Sequence, residues 1–243
     1  MEYLRIYPSL DSTNKEAHRL LAGGPIPHGL TLFTTHQTDG RGQMGRIWTA
    51  APNQHMAMTI IYRPVSMPVS QLPTLGMKIS LGLVQALEKL NPAIDPKIKW
   101  PNDIYAGGKK LSGILIENAL AGGKVQHAVI GIGMNILEDH FPEDLPNATS
   151  LLLCTGEKYD PQQVAIRIRN QVLTLLDDPD PFWKSEYDRY IFGLDEVFTF
   201  INEAGSFTAR VKGISAEGLL ILEDEEKNVH AYATHEVRWN MIQ

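Results

Sequence analysis

Four short segments of this 243-residue chain combine glycine, asparagine and charge in a way that packing alone does not require. The first is Gly40-Arg41-Gly42-Gln43-Met44-Gly45-Arg46-Ile47-Trp48, which sets two guanidinium groups among three glycines. Glycines let backbone N–H groups approach an anion, and arginine donates paired hydrogen bonds to phosphate or carboxylate. A surface turn with solvated arginines would read the same way. The bare Gly-x-Gly-x-x-Gly pattern also matches the dinucleotide fingerprint. That fingerprint needs a helix opening at the glycines and an acidic residue about 20 positions on. Trp48-Thr49-Ala50-Ala51-Pro52-Asn53 is poor helix material, and Ile60–Ser66 carries no carboxylate, so the dinucleotide reading fails.

The second segment, Lys99-Trp100-Pro101-Asn102-Asp103-Ile104-Tyr105, puts a carboxylate at the exit of a strand, within reach of a metal or ligand. An ordinary Pro-Asn-Asp turn has the same composition. The third, Lys109-Lys110-Leu111-Ser112-Gly113-Ile114-Leu115-Ile116-Glu117, sets Lys110 just before an apolar strand. A lysine held there is a fixed positive charge for a transferring anion; otherwise both lysines are solvated turn residues. In the fourth, Ile130-Gly131-Ile132-Gly133-Met134-Asn135, alternate glycines clear one sheet face for a flat ligand or a packed helix. Asn135 offers an amide either to an adenine edge or to a turn. His230 and His235 lack metal-ligand spacing and read as surface residues, and no activating motif surrounds Cys154.

The elements that must position these segments follow from periodicity. Met1–Pro8 reads as a strand and Lys15–Ala22 as a short helix, with Thr13 and Glu16 at capping-box spacing. Leu30–Thr35 and Met56–Tyr62 are strand-like runs flanking the glycine loop. Leu72, Leu75, Ile79, Leu83, Ala86, Leu87 and Leu90 trace a buried helix face within Ser70–Leu90. Lys97–Trp100, Ser112–Glu117 and Lys124–Ile132 are expected as strands, with turns at Gly107-Gly108 and Gly122-Gly123. Asp160-Pro161-Gln162-Gln163 opens a helix that runs to Leu176, and Phe182–Ile191 forms another. Beyond Gly193, five short strand candidates predict a small β-barrel.

The bulk numbers bound the function. Hydrophobic residues at 43% and charged residues at 21% describe an ordinary globular chain with a real core. A net charge of −6 argues against wholesale binding to DNA or an anionic membrane, though not against a local basic pocket. The single cysteine excludes an intramolecular disulfide and a cysteine-based zinc site, and it suits a reducing cytoplasm. A cytoplasmic soluble protein is the expectation.

Together and in this order, the four segments resemble the biotin protein ligase family (biotin–[acetyl-CoA-carboxylase] ligase). Its pattern is Gly-Arg-Gly-x-x-Gly-Arg-x-Trp, Lys-Trp-Pro-Asn-Asp, Lys-Leu-x-Gly-Ile-Leu-x-Glu and Gly-x-Gly-x-Asn; Asp11-Ser12-Thr13-Asn14 and Gln37 match as well. The resemblance implies an α+β fold: a class II synthetase-like catalytic domain over 1–192, a mixed β-sheet with packed helices, then an SH3-like barrel over 193–243. It implies that biotin and MgATP give biotinyl-5′-AMP, and that a lysine of a biotin carboxyl carrier protein takes the biotin. Ser12, Thr13 and Gln37 would hold the ureido ring, with Asn14, Arg41, Gly42, Gln43, Lys110 and Gly113 completing the biotin site. Arg41 would meet the carboxylate and α-phosphate, Arg46 the ATP phosphates, Trp48 and Asn135 adenine, with Asn102 also on the nucleotide side. Lys110, Arg41 and Asp103 would be catalytic, Asp103 through Mg²⁺ or the incoming amine.

Gln43 stands where many relatives of that family have arginine, which is expected to loosen the loop over the adenylate. The pattern begins almost at Met1, leaving no room for the helix-turn-helix of the repressor-type relatives, so DNA binding is not expected; a homodimer is compatible with the sequence. A lipoate ligase or octanoyltransferase shares the implied fold, and a non-catalytic biotin-binding module is the alternative from another class. On the sequence alone, Lys110→Ala should lower adenylation strongly and leave folding intact.

Overall fold

The computed structural model describes residues 3–48, 51–180 and 182–240. Its first strand, β1 (Leu4–Ile6), leads into helix α1 (Thr13–Ala22), whose N-cap is Ser12: its hydroxyl accepts from the Lys15 backbone N–H. The expected cap was Thr13. That hydroxyl turns instead to Gln37, a partner 24 residues away that local spacing cannot reveal. Strands β2 (Leu30–Thr34), β3 (Gly40–Arg41), β4 (Ile47–Trp48) and β5 (His55–Tyr62) follow, then the long helix α2 (Leu72–Leu90). β6 (Lys97–Lys99), β7 (Asp103–Ala106), β8 (Lys109–Ala121) and β9 (Lys124–Asn135) complete the main sheet. Helices α3 (Leu151–Thr155), α4 (Pro161–Asp177) and α5 (Trp183–Asp188) come next. Asp160 caps α4 by accepting from the Gln162 and Gln163 N–H groups, with Pro161 at the first helical position, as its sequence predicts.

The seven-stranded sheet runs β1-β2-β5-β9-β8-β7-β6. Only the β1–β2 pair is parallel among these, so the sheet is mixed. Strand alternation divides it into two unlike faces. Met56, Met58, Ile60, Ile130, Ile132, Met134 and Ile114 face α2 and α4 in the main core. Gly82 lets α2 pack directly on α4, because a Cβ there would lie 2.8 Å from the Val172 Cα. The other face carries α1, whose Ala17 is buried against Leu30, Leu32, Ile61 and Val129. Each large apolar side chain removed from water in these clusters contributes about 1.5–3 kcal/mol. That second face also carries Gly113, Gly131 and Gly133, which leave a trough beside α1.

Two sequence expectations needed correction here. Asp103 does not end a strand in a turn; it begins β7, which pairs with both β6 and β8. Lys110 likewise lies within β8 rather than before it, because the Gly107-Gly108 turn closes a tight β7–β8 hairpin starting at Lys109.

The C-terminal strands β10 (Val197–Asn202), β11 (Gly205–Ile214), β12 (Leu220–Glu223), β13 (Val229–Tyr232) and β14 (Arg238–Trp239) form an antiparallel five-stranded sheet in the order β13-β12-β11-β10-β14, compatible with an SH3-like barrel. Its core residues Phe200, Val211, Leu220 and Leu222 join the core of the main sheet. Two indoles fasten the units together: Trp100 Nε1 donates to the Gly218 carbonyl (2.9 Å), and Trp239 Nε1 donates to the Trp100 carbonyl (3.0 Å).

Candidate active site

The site lies on the α1 face, over the glycine-cleared trough. At one end, the bridge between Leu10 and Gln37 brings the start of α1 beside the chain that leads into the glycine loop. The Thr13 N–H and hydroxyl both donate to Gln37 Oε1, at 2.8 and 3.2 Å. Ser12, Thr13 and Gln37 are therefore one cluster of small polar groups, Ser12 and Thr13 buried below 5% exposure. Asn14 is not part of its open surface. Its carboxamide turns into the sheet, accepting from the Thr59 hydroxyl and donating to Glu117.

The glycine–arginine loop crosses above this cluster. β3 and β4 form a two-residue ribbon in which Gly40 pairs with Trp48 and Arg41 with Ile47. Gly40 is required there, since a Cβ would lie 2.6 Å from the Trp48 carbonyl oxygen. The loop closes through the Gly42 N–H donating to the Arg46 carbonyl (2.8 Å), around a 3-10 turn over Gln43–Gly45. Arg41 is exposed and paired with Asp39 at 2.8 Å. Lys15 also binds that carboxylate and, with Arg41, holds it below the usual aspartate range. Arg46 is exposed and has no carboxylate partner among the described residues. Gln43 is half-buried and faces a cleft shared with Pro73, Trp100 and Asn102.

Trp48 fills part of the trough. Cβ atoms at Gly133 and Gly113 would lie 2.7 and 3.3 Å from its indole, so the alternate glycines make room for a tryptophan ring and, at Gly131, for Asn14. The sequence allowed a flat ligand or a helix there; the protein's own indole and the helix residue Asn14 take the space.

Lys110 points into the same region, its Nζ 5.8 Å from the Trp48 ring centroid and 2.7 Å from Asp103 Oδ1. The pair is an ion contact without hydrogen-bond alignment: Asp103 Oδ1 is buried and has no hydrogen-bond partner. Such an oxygen is set to receive a further cation or N–H donor. The backbone of Lys110 is pinned from the other side, donating to the Asn147 carbonyl (2.6 Å) and accepting from the Thr149 N–H (2.9 Å). Asn135 anchors that partner segment: it is buried, and its amide donates to the Thr149 carbonyl. Glu138 holds the segment's start, its carboxylate accepting from the Ile136 N–H and its carbonyl from the Ser150 hydroxyl. Burial raises the Glu138 carboxyl to about 7.

Asn102 is similarly engaged. Its amide donates to the Ile114 carbonyl (2.8 Å), and the Ile114 N–H returns a bond to the Asn102 carbonyl (2.9 Å). The amide donors of Asn14, Asn102 and Asn135 thus satisfy this chain's own acceptors, because a buried amide without partners is costly. All three therefore make positioning contacts within the chain, at positions the sequence assigned to the ligand site.

Lys99 opens the Lys-Trp-Pro-Asn-Asp segment. It sits opposite Asp103 across β6 and β7 and is 92% buried (8% exposed), with its Nζ 5.0 Å from the ring centroids of both Tyr105 and Trp239. Burial is the largest cause that pushes its amine down to about 8, Asp103 opposing it and Lys110 and Arg46 adding to it. Lys110 therefore contacts this carboxylate, Lys99 stands across from it and Arg46 is close enough to act on Lys99, which leaves an excess of positive charge suited to a polyanion. A lysine on a strand alternating with apolar residues was the only local signal. Trp239, 140 residues later, gave none. Among the described residues, no group of three or more His, Cys, Asp and Glu side chains could hold a metal ion by itself. No helix among the described residues is long and apolar enough to cross a membrane.

A mixed sheet with a polar pocket at one end, a glycine–arginine loop above it and an unbalanced cluster of cations beyond is suited to an anionic, phosphate-bearing ligand. The chain belongs to the biotin/lipoate A/B protein ligase family, whose model matches residues 7–135. It is 33% identical over 224 residues to the bifunctional ligase/repressor BirA of Bacillus spizizenii, covering 89% of this chain and 68% of that protein. It is 32% identical over 191 residues to the biotin–[acetyl-CoA-carboxylase] ligase of Paracoccus denitrificans, covering 75% of this chain and 73% of that one. Among solved structures, the biotin protein ligase of Aquifex aeolicus in complex with biotin and ATP superposes with a TM-score of 0.79 at 26% identity, over 99% of this chain and all of that one.

Proposed function

We infer that this chain is an ATP-dependent biotin–protein ligase: it activates biotin to biotinyl-5′-AMP with release of pyrophosphate, then transfers biotin to a lysine of a biotin carboxyl carrier protein. The observation that carries this reading is the convergence, along one trough, of the Ser12–Thr13–Gln37 cluster, the Arg41 loop and the Lys110–Asp103 pair. The relatives' names give the acid and the acceptor; the chemistry follows from the side chains.

Ser12, Thr13 and Gln37 offer donors and acceptors for the cyclic urea of biotin, whose edge carries both. The carboxylate then extends beneath Trp48 toward Lys110. Adenylation brings this carboxylate against the α-phosphorus of ATP, and negative charge gathers on the phosphoryl oxygens as pyrophosphate leaves. Arg41, released from Asp39 or shared with it, and Lys110 neutralise that charge, and Arg46 and Lys99 meet the departing phosphates. Trp48 shields the mixed anhydride from water. In the second step the carrier's lysine amine attacks the acyl carbon, the C–O bond to AMP breaks, and an amide forms. The Asp103 oxygen without a hydrogen bond is the acceptor for the ammonium proton or, alternatively, an oxygen that would hold Mg²⁺, which with the ATP phosphates would lower their charge repulsion. Asn14, Asn102 and Asn135 act by holding the first turn of α1, the β7–β8 hairpin and the Lys110 partner segment. In this reading residues 1–192 carry the chemistry, and the barrel over 193–243 closes the phosphate end through Trp239. Gln43 leaves the loop one cation short, which favours release of the adenylate over its long retention.

The test is transfer itself. Purified protein, biotin and MgATP are incubated with an isolated biotin carboxyl carrier domain, and its intact mass is read. One biotinyl addition that disappears when the acceptor lysine is changed to arginine is the expected result. An unmodified carrier, with the protein folded and ATP present, would contradict the reading.

A further inference from the structure

Asn14 follows Ser12 and Thr13 directly, so whatever fixes its side chain fixes the first turn of α1. Its carboxamide is gripped at both ends. The Thr59 hydroxyl donates to Oδ1 at 2.6 Å, and Nδ2 donates to Glu117 Oε2 at 2.7 Å. Thr59 comes from β5, Glu117 from β8, and the strand between them is β9. There Gly131 is cut away for the same group: a Cβ would lie 2.4 Å from Asn14 Oδ1. Three adjacent strands are therefore shaped around one amide that is 6% exposed.

The two ends of this amide are not equivalent. A threonine hydroxyl can donate or accept, so Thr59 alone would tolerate either orientation of the carboxamide. An ionised carboxylate only accepts. Glu117 therefore requires the NH₂ group to face it, which turns Oδ1 toward Thr59 and forces that hydroxyl to donate. On its opposite side the same helical turn meets Gln37 through Thr13. His18, one turn further along α1, also approaches Glu117, its Nε2 3.3 Å from Oε2.

We propose that Glu117 is a positioning residue for the acid-binding end of the site: through the orientation of Asn14 it sets where Ser12 and Thr13 stand, without touching substrate. This rests on the reading of Ser12, Thr13 and Gln37 as the biotin-holding cluster. The Lys110 end lies seven residues away at the other end of β8 and is held separately, by the 147–149 segment and by Asp103 of β7, so the effect is confined to one substrate.

The experiment is steady-state pyrophosphate exchange into ATP, with KM for biotin and for ATP measured separately for Glu117→Ala, Glu117→Gln and Thr59→Val. A charge-assisted hydrogen bond is lost in the alanine variant, and KM for biotin should rise about tenfold, with kcat and KM for ATP within about twofold of the parent. Glutamine can still present an acceptor but no longer forbids the flipped amide, so it should restore most of the affinity. Thr59→Val, close in shape, should raise KM for biotin alone and serves if Glu117→Ala fails to fold. An unchanged KM for biotin, or a parallel rise for both substrates, overturns the proposal. Exchange driven by another acid, with the selective rise moved to that acid's KM, would overturn the biotin assignment and keep the role of Glu117. Exchange with no acid overturns both.

Discussion

Removing Lys110 should have two separable consequences, one on chemistry and one on the fold. In Lys110→Ala the fixed charge at the reacting centre is gone, and loss of one such stabilising group lowers kcat by about 10²–10³. The same change also strands Asp103, whose side chain is 16% exposed and whose buried Oδ1 loses its 2.7 Å contact with the Lys110 ammonium. Leaving a buried acceptor without its partner costs about 1–3 kcal/mol. Lys99 stands opposite Asp103 on β6 and still offers partial compensation, so the lower half of that range applies. For a chain of this size that is a fall in Tm of roughly 2–8 °C. The expectation from sequence, that folding would be untouched, is therefore replaced by a modest loss. The double variant Lys110→Ala, Asp103→Asn separates the effects, because it removes the stranded charge without restoring the cation. Its Tm should return most of the way, while pyrophosphate exchange at 25 °C stays as low as in the single variant or lower. Recovery of exchange together with Tm would refute the reasoning, since the defect of Lys110→Ala would then be one of folding alone.

Three further outcomes follow from the geometry. In Gly133→Ala the new Cβ meets the Trp48 indole at 2.7 Å, so the ring must lift by several tenths of an ångström; overpacking should cost about 1–3 kcal/mol, and misplacement should lower kcat/KM about 10²-fold. An unchanged kcat/KM would mean that Trp48 does not lie against the substrate. The Glu138 carboxyl is raised from 4.5 to about 7, so the folded state holds its proton more tightly and this stabilisation is full below pH 4.5 and lost as pH rises through 7. Glu138→Gln should therefore gain up to about 3 kcal/mol in relative stability between pH 4.5 and 8, read by urea unfolding at both pH values; parallel pH profiles would contradict this. Lys99 is lowered from 10.5 to about 8, so its buried charge burdens the fold below pH 8 and that burden lifts as pH rises toward 10.5. As pH rises through 8 the cation is lost to phosphate binding, so KM for ATP should climb between pH 7.5 and 9, and Lys99→Met should flatten that rise.

What could be read from sequence was what is local. The seven apolar positions of α2 repeat at helical spacing and are found in a helix, and Asp160-Pro161 opens α4 where its capping chemistry says it should. The motifs carrying Arg41, Trp48, Asp103 and Lys110 do meet in one trough. The misses share one cause, which is that partners distant in sequence decide the outcome. Thr13 looks like a cap until Gln37 claims its hydroxyl, and Asp103 looks like a turn residue until β6 and β8 pair around it. The internal bonds of Asn14, Asn102 and Asn135, to backbone carbonyls, Thr59 and Glu117, were equally illegible in the sequence. No periodicity foretold that Trp239 would stack on Lys99.

The most direct measurement of the central claim is pyrophosphate exchange into ATP with biotin, lipoate and octanoate supplied in parallel. The site described here predicts exchange with biotin, little with the two acids that lack a cyclic urea, and loss of the biotin-driven signal in Lys110→Ala. Exchange with lipoate or octanoate but not with biotin would contradict it.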